Sequence, residues 1–162
     1  MSANNSLVEK TAPVQAIAPQ DINGSAVDGD FINLKLFEHV HIVIDAGTLA
    51  GGPSAVTLRQ ATDVAGAGAK TLGFTNVWIS GANTDVFTKT AVVSDTFDIT
   101  GTDDNKQFVI EVDASELDVP NSFNTLQVQL GSPGAVSFLV AAKYYGTGAR
   151  YAGADMASAL IN

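Results

Sequence analysis

Glu38-His39-Val40-His41-Ile42-Val43-Ile44-Asp45 (residues 38–45) is the stretch that decides the fold. Val40, Ile42 and Ile44 fall on one side of an extended chain, while His39, His41 and Asp45 fall on the other. Successive side chains of a strand point to opposite faces, so a period of two marks a strand with one buried face. The period returns downstream. Phe108, Ile110 and Val112 alternate with Gln107 and Glu111, and Leu126, Val128 and Leu130 alternate with Thr125, Gln127 and Gln129.

Further runs fit the same scheme at 31–36, 56–62, 76–80, 86–93, 96–100 and 135–143. The last is apolar on both sides (Val136, Phe138 and Val140 against Leu139 and Ala141), as expected of a central strand or of one covered by a partner. Gly51-Gly52-Pro53, Gly66-Ala67-Gly68, Gly81-Ala82-Asn83, the segment 101–105 and Gly131-Ser132-Pro133-Gly134 supply turns between the runs. No ten consecutive residues carry a helical period, and a single helical turn is expected at 114–117, opened by Asp113. The chain therefore reads as all-β, with an antiparallel sandwich, jelly roll or small barrel as its architecture.

The two ends differ from this middle. Residues 1–28 read as an extended arm, because Pro13 and Pro19 interrupt any helix and Val14, Ala16 and Ala18 alternate only weakly. Its apolar residues Leu7, Val8, Val14, Ile17 and Ile22 imply that it lies against its own fold or a neighbour. Residues 147–162 read as a second, Gly- and Ala-rich tail with Tyr151, Met156, Leu160 and Ile161 as anchors. The sandwich domain is expected to occupy residues 29–146.

The 162 residues suit one domain, and a chain of this size hides roughly 70% of its unfolded surface on folding. The sequence has no cysteine, which excludes disulfides and thiolate metal sites. Seventeen acidic residues against eight basic ones give a net charge of −9, which opposes binding to nucleic acid and to anionic membranes. Charged residues make up 15% of the chain, against about 25% in ordinary soluble domains. Gly, Ala, Ser, Thr and Asn take their place, which suits a surface that packs flat on another protein and equally a Gly-rich β protein with no partner. No apolar stretch is long enough to span a membrane, and the first residues lack the basic and apolar regions of a secretory signal, so synthesis in a cytoplasm is expected.

Catalytic chemistry finds little support. His39, His41 and Asp45 form H-x-H-x3-D, close to the metal signature of cupins. However, the third ligand there is normally Glu, and the sequence holds no third histidine. No G-x-S-x-G elbow accompanies the serines. The carboxylate groups at Asp103-Asp104 and at Asp113, Glu116 and Asp118 read as turn formers rather than a glycosidase pair. The Gly-rich segment 65–69 lacks the Lys-Ser/Thr ending of a phosphate loop and reads as a hairpin loop. Neither a catalytic residue nor a cofactor or metal is expected.

The succession GDFINLKLFEHVHIVIDAG (29–47), AVTLRQATDVAGAGAKTLGF (55–74), VVSDTFDI (92–99), KQFVIEVDASELD (106–118) and GARYAG (148–153) resembles the decoration (cement) proteins of tailed-bacteriophage heads. The likeness lies in the order and wording of strands. It implies a β-sandwich of jelly-roll type, made in the host cytoplasm and bound in many copies to the outside of the virion capsid. There it would clamp neighbouring major capsid protein subunits, as a homodimer or higher homo-oligomer. The first 28 residues lie outside the match. From their apolar content, Leu7, Val8, Val14 and Ile17, with Tyr151, Met156, Leu160 and Ile161 of the tail, are the expected partner-interface residues. A phage tail or baseplate component shares the β-rich, low-charge character. A carbohydrate-binding sandwich would normally present several aromatics on one face, whereas Trp78 is the only tryptophan here.

Overall fold

The computed structural model describes residues 7–150 and 158–161. Among them Leu7–Lys10 forms one helical turn, followed by twelve strands: β1 (Ala12–Asp21), β2 (Val27–Asp28), β3 (Ile32–Asn33), β4 (His39–Leu49), β5 (Ser54–Ala61), β6 (Lys70–Leu72), β7 (Asn76–Ser80), β8 (Phe87–Ala91), β9 (Thr96–Ile99), β10 (Gln107–Asp113), β11 (Thr125–Leu130) and β12 (Phe138–Thr147). Sheet A runs β1-β12-β4-β10-β7-β8, and sheet B runs β2-β11-β5-β6, with β3 also on β11 and β9 also on β5. All pairings are antiparallel, and the two sheets form a sandwich. The pairs β4/β12, β5/β11 and β7/β10 nest inside one another, as in a rolled ribbon of jelly-roll type.

The period-two stretches become the walls of the core. Val40, Ile42 and Ile44 of β4 and Phe108, Ile110 and Val112 of β10 are buried, and from sheet B Val56, Leu58, Leu126, Val128 and Leu130 meet them. The run 135–143 is resolved as a central strand, since β12 lies between β1 and β4. The expected turn after Asp113 is present as a 3-10 helix, Ala114–Glu116, with the Asp113 N–H donating to Glu116 Oε2 at 3.0 Å.

Of the two places open to the arm, its own fold or a neighbour, residues 12–21 take the first: they form β1, an edge strand of sheet A paired with β12 from Ala12↔Gly146 to Asp21↔Leu139. Register shifts between Gln15 and Ile17 and between Ile17 and Gln20 place both Ala16 and Ile17 in the core. A bulge of this kind breaks the alternation that would have marked the strand. Val27–Asp28, also assigned to the arm, is β2. At the other end, the main-chain N–H of Asn33 donates to the Ala159 carbonyl at 2.7 Å and its Nδ2 to the Ile161 carbonyl at 3.1 Å, with Ala159 itself buried. That part of the tail is docked on the body.

A buried polar contact locks the layers together. Tyr144 projects from β12 across the core, fully buried, and its hydroxyl accepts the Val128 N–H of β11 at 2.7 Å. The Val128 carbonyl accepts the Gly29 N–H at 2.8 Å, and a Cβ at Gly29 would sit 3.0 Å from the Tyr144 hydroxyl, so the site has no room for a side chain. Asp21 closes the β1–β12 end. Its carboxylate accepts the Phe138 N–H at 2.7 Å and the Ser137 hydroxyl at 2.8 Å. Asp103 does the same for the turn before β10, accepting from the Thr100 N–H and from Lys106 Nζ, each at 2.8 Å.

Tyr144→Phe would strand the buried Val128 N–H and is expected to lower stability by about 1–3 kcal/mol in urea unfolding. Burial, with the Asp30 charge adding to it against the Val128 hydrogen bond, raises the Tyr144 phenol above its ordinary value. An unfolded tyrosine ionises near pH 10, so the contribution of Tyr144 is present below about pH 10 and lost as pH rises beyond it. The Tyr144→Phe variant is expected to lose that part of its alkaline sensitivity. Hydrogen bonds from Phe138 and Ser137 hold Asp21 below the usual carboxylate range, and in Asp103 the Lys106 and Thr100 hydrogen bonds outweigh a partial burial that acts the other way. Their contribution is complete above about pH 4 and is lost as pH falls through their lowered folded values. Thermal melts between pH 6 and pH 2 should show a falling midpoint, and Asp21→Asn should flatten that fall.

Candidate functional site: the outer face of sheet A

The residues that alternate with the core strips build the outer face of sheet A. Register places Gln15, Lys143, Val43, Val109, Trp78 and Lys89 in one row across all six strands. Five inter-strand spacings make that row about 24 Å wide. Its centre is a half-buried apolar trio, Val43, Val109 and Trp78, with a lysine on each side. Lys89 Nζ lies 5.7 Å from the Trp78 ring centre, within range of a cation–π contact. A second row sets Pro13, Tyr145, His41 and Glu111 side by side, and a third sets Ala141, Asp45 and Gln107.

Apart from Lys89, which lies over Trp78, the charged groups of these rows have polar neighbours on the same face. His39 pairs with Asp113, and His41 Nδ1 lies 3.6 Å from Glu111 Oε1 while its Nε2 lies 3.2 Å from the Thr147 hydroxyl. Asp45 accepts from Gln107 Nε2 at 2.7 Å and faces Lys143 Nζ at 3.9 Å. His39, His41 and Asp45 thus sit on the face expected from the alternation, each with its own strand neighbour. Among the described residues no three His, Asp or Glu side chains converge as a metal-ligand group. The carboxylates singled out from sequence are spread over turns: Asp104 accepts the Leu49 N–H at 2.7 Å, and Asp118 pairs with Lys70 and accepts from Asn121. The segment 65–69 lies in the β5–β6 hairpin loop.

The residues expected to contact a partner do not form one surface. Leu7 and Val8 are exposed on the helical turn before β1, at the edge of sheet A. Leu160 and Ile161 are exposed beside β3, on sheet B. Ile17 is a core residue with 2% exposure, so it is closed to any partner, and Val14 packs partly against the same core. Tyr151 and Met156 lie outside the described residues. The Val43–Val109–Trp78 trio had no strong signal of its own, because it forms only when the register of three strands is known. Such a face, aromatic and aliphatic at the centre with charge around it, has the composition of a protein-binding surface.

The chain matches no family model, and no curated protein is significantly similar to it. Its fold is similar, at 14% identity and a TM-score of 0.38, to a chain in a structure of infectious bursal disease virus, Gx strain, over 90% of this chain and 33% of that one. A chain from the Gt strain is similar at 8% identity and a TM-score of 0.26, over 85% of this chain and 42% of that one. The chain thus spans about a third of one viral chain's length and about two fifths of the other's.

Proposed function

We propose that this protein is a virion structural component that binds in many copies to the outer surface of a tailed-phage head and steadies neighbouring major capsid protein subunits. The observation that carries this reading is the resemblance of residues 29–153, in strand order and wording, to phage decoration proteins. Its action is binding rather than catalysis. The outer face of sheet A is the contact, with Trp78 and Tyr145 as its anchors and Leu7 and Val8 extending it at the β1 edge. A ligand that binds the mature shell stabilises it by mass action, and repetition over the lattice turns modest contacts into high avidity. A net charge of −9 keeps the protein off packaged and host nucleic acid.

Two measurements test the reading. Quantitative mass spectrometry of purified particles should find this chain near one copy per major capsid subunit, or at a simple fraction of that. A handful of copies would assign it to the tail or baseplate, and absence from the particle would end the virion reading. Trp78→Ala should weaken binding to shells stripped of the protein by about tenfold or more, as expected for a central aromatic anchor, while the chain stays folded. Removal of residues 1–10 should weaken binding without unfolding. Removal of residues 1–28 should unfold the chain, because it takes away β1 with Ile17 and the buried Ile22.

A further inference from the structure

Sheet A ends in two unlike edges. On β1, Pro13 and Pro19 have no N–H to offer, and the Asp30 N–H occupies the Ala16 carbonyl at 3.2 Å. On β8 there is no proline, and all five residues are exposed, so neither face of the strand is covered. The direction of its backbone groups follows from its register on β7. Gly81 N–H donates to the Val86 carbonyl at 3.1 Å and Val92 N–H to the Thr75 carbonyl at 2.8 Å. Hydrogen-bonded pairs in an antiparallel ladder recur at every second residue, so Thr88 and Thr90 turn their backbone groups toward β7. Phe87, Lys89 and Ala91 turn theirs outward, where no backbone partner meets them among the described residues. Apolar side chains flank this open edge, with Val86 at 69% exposure and Val93 at 93%.

We infer that β8 joins two copies of this chain, edge to edge and antiparallel about a two-fold axis. The strand selects its own register. Centring the pair on Lys89 sets two ammonium groups opposite each other, which is unfavourable. Centring it on Thr88 sets each ammonium against a Phe87 ring, a cation–π contact that leaves Asp85 without a partner. Centring it on Phe87 sets the two Phe87 rings together at the axis and each Lys89 opposite the Asp85 of the other copy. Asp85 is exposed, and no hydrogen bond or ion pair within the chain engages its carboxylate among the described residues. Phe87 and Lys89 of β8, with Asp85 in the bend two residues before the strand, thus make a self-complementary edge, as an isologous interface requires. The pair of chains carries one continuous twelve-stranded sheet, with two copies of the Trp78 face side by side.

Sedimentation equilibrium of the purified full chain tests this without any particle, so its outcome is independent of the virion reading. The wild type should show a reversible monomer–dimer equilibrium. Lys89→Asp places carboxylates opposite each other twice and should weaken dimerisation at least about tenfold. The exchange Asp85→Lys with Lys89→Asp should restore it. Both variants should melt within a few degrees of the wild type, because β8 is exposed throughout. A wild type that stays monomeric at every concentration overturns the inference. So does a dimer indifferent to Lys89→Asp, or one weakened by it and not restored by the exchange.

Discussion

β12 lies opposite β4 at nine positions, from Phe138↔Leu49 to Thr147↔His39. The two strands are about ninety residues apart in the chain, so this pairing closes a long loop, and its entropy must be met by burial along the whole ladder. The other elements of sheet A are placed by it. β1 has only β12 to bond to, and β10 takes the opposite edge of β4, which then seats β7 and β8. Tyr144 sits in the same ladder, opposite Ile42, and carries the constraint across to β11 through the Val128 N–H. A fault in the β4–β12 register would move Tyr144 to the wrong face, since a slip of one residue inverts every side chain. The core and the outer face are two sides of this single registration.

That dependence explains what the sequence made legible. The strands β4, β10 and β11 announce themselves because apolar and polar residues alternate along them, and the run 76–80 coincides with Asn76–Ser80 although Val77, Trp78 and Ile79 are consecutive apolar residues. β1 does not, because its bulge puts Ala16 and Ile17 on the same side and its two prolines mimic a linker. β2 and β6, with two and three residues, are too short for a period to show. The polar side of β4 was visible as the face of His39, His41 and Asp45. The row that joins Val43 to Val109 and Trp78 was not, because cross-strand neighbours far apart in sequence leave no local pattern. Likewise Ile17 looks like any exposed apolar arm residue until its register on β12 is known.

The distribution of prolines and charges over the edges follows the same logic. A sheet edge is a template for further strands, and proteins blunt it with proline, charge or brevity. Sheet B ends in short strands, and β1 carries prolines and the Asp30 bond. β8 has a single lysine and nothing else. Lys89 is a weak guard, since its ammonium is drawn over the Trp78 ring. It excludes a copy paired Lys89 to Lys89 while admitting one displaced by four residues, Lys89 to Asp85. An edge guarded in this way selects a register rather than forbidding pairing.

Size then links the edge to the face. The seven paired positions of β4 and β10 extend about 23 Å, so the outer face of sheet A offers roughly 550 Å² in projection. A standard stable interface buries about 800 Å² on each partner. One face is therefore small for an independent, long-lived contact, and its flanking charges are already committed to neighbours on the sheet. The inferred doubling of the sheet through β8 would bring two such faces to about 1,100 Å², within the range of specific complexes, and would fix their relative orientation. With the second face held rigidly beside the first, its binding becomes intramolecular, and the gain depends on how well the spacing matches the surface beneath. On the proposed reading that surface is a regular lattice. A twelve-stranded sheet of fixed geometry would then respond to the spacing between neighbouring subunits, holding best where the shell has reached its mature dimensions.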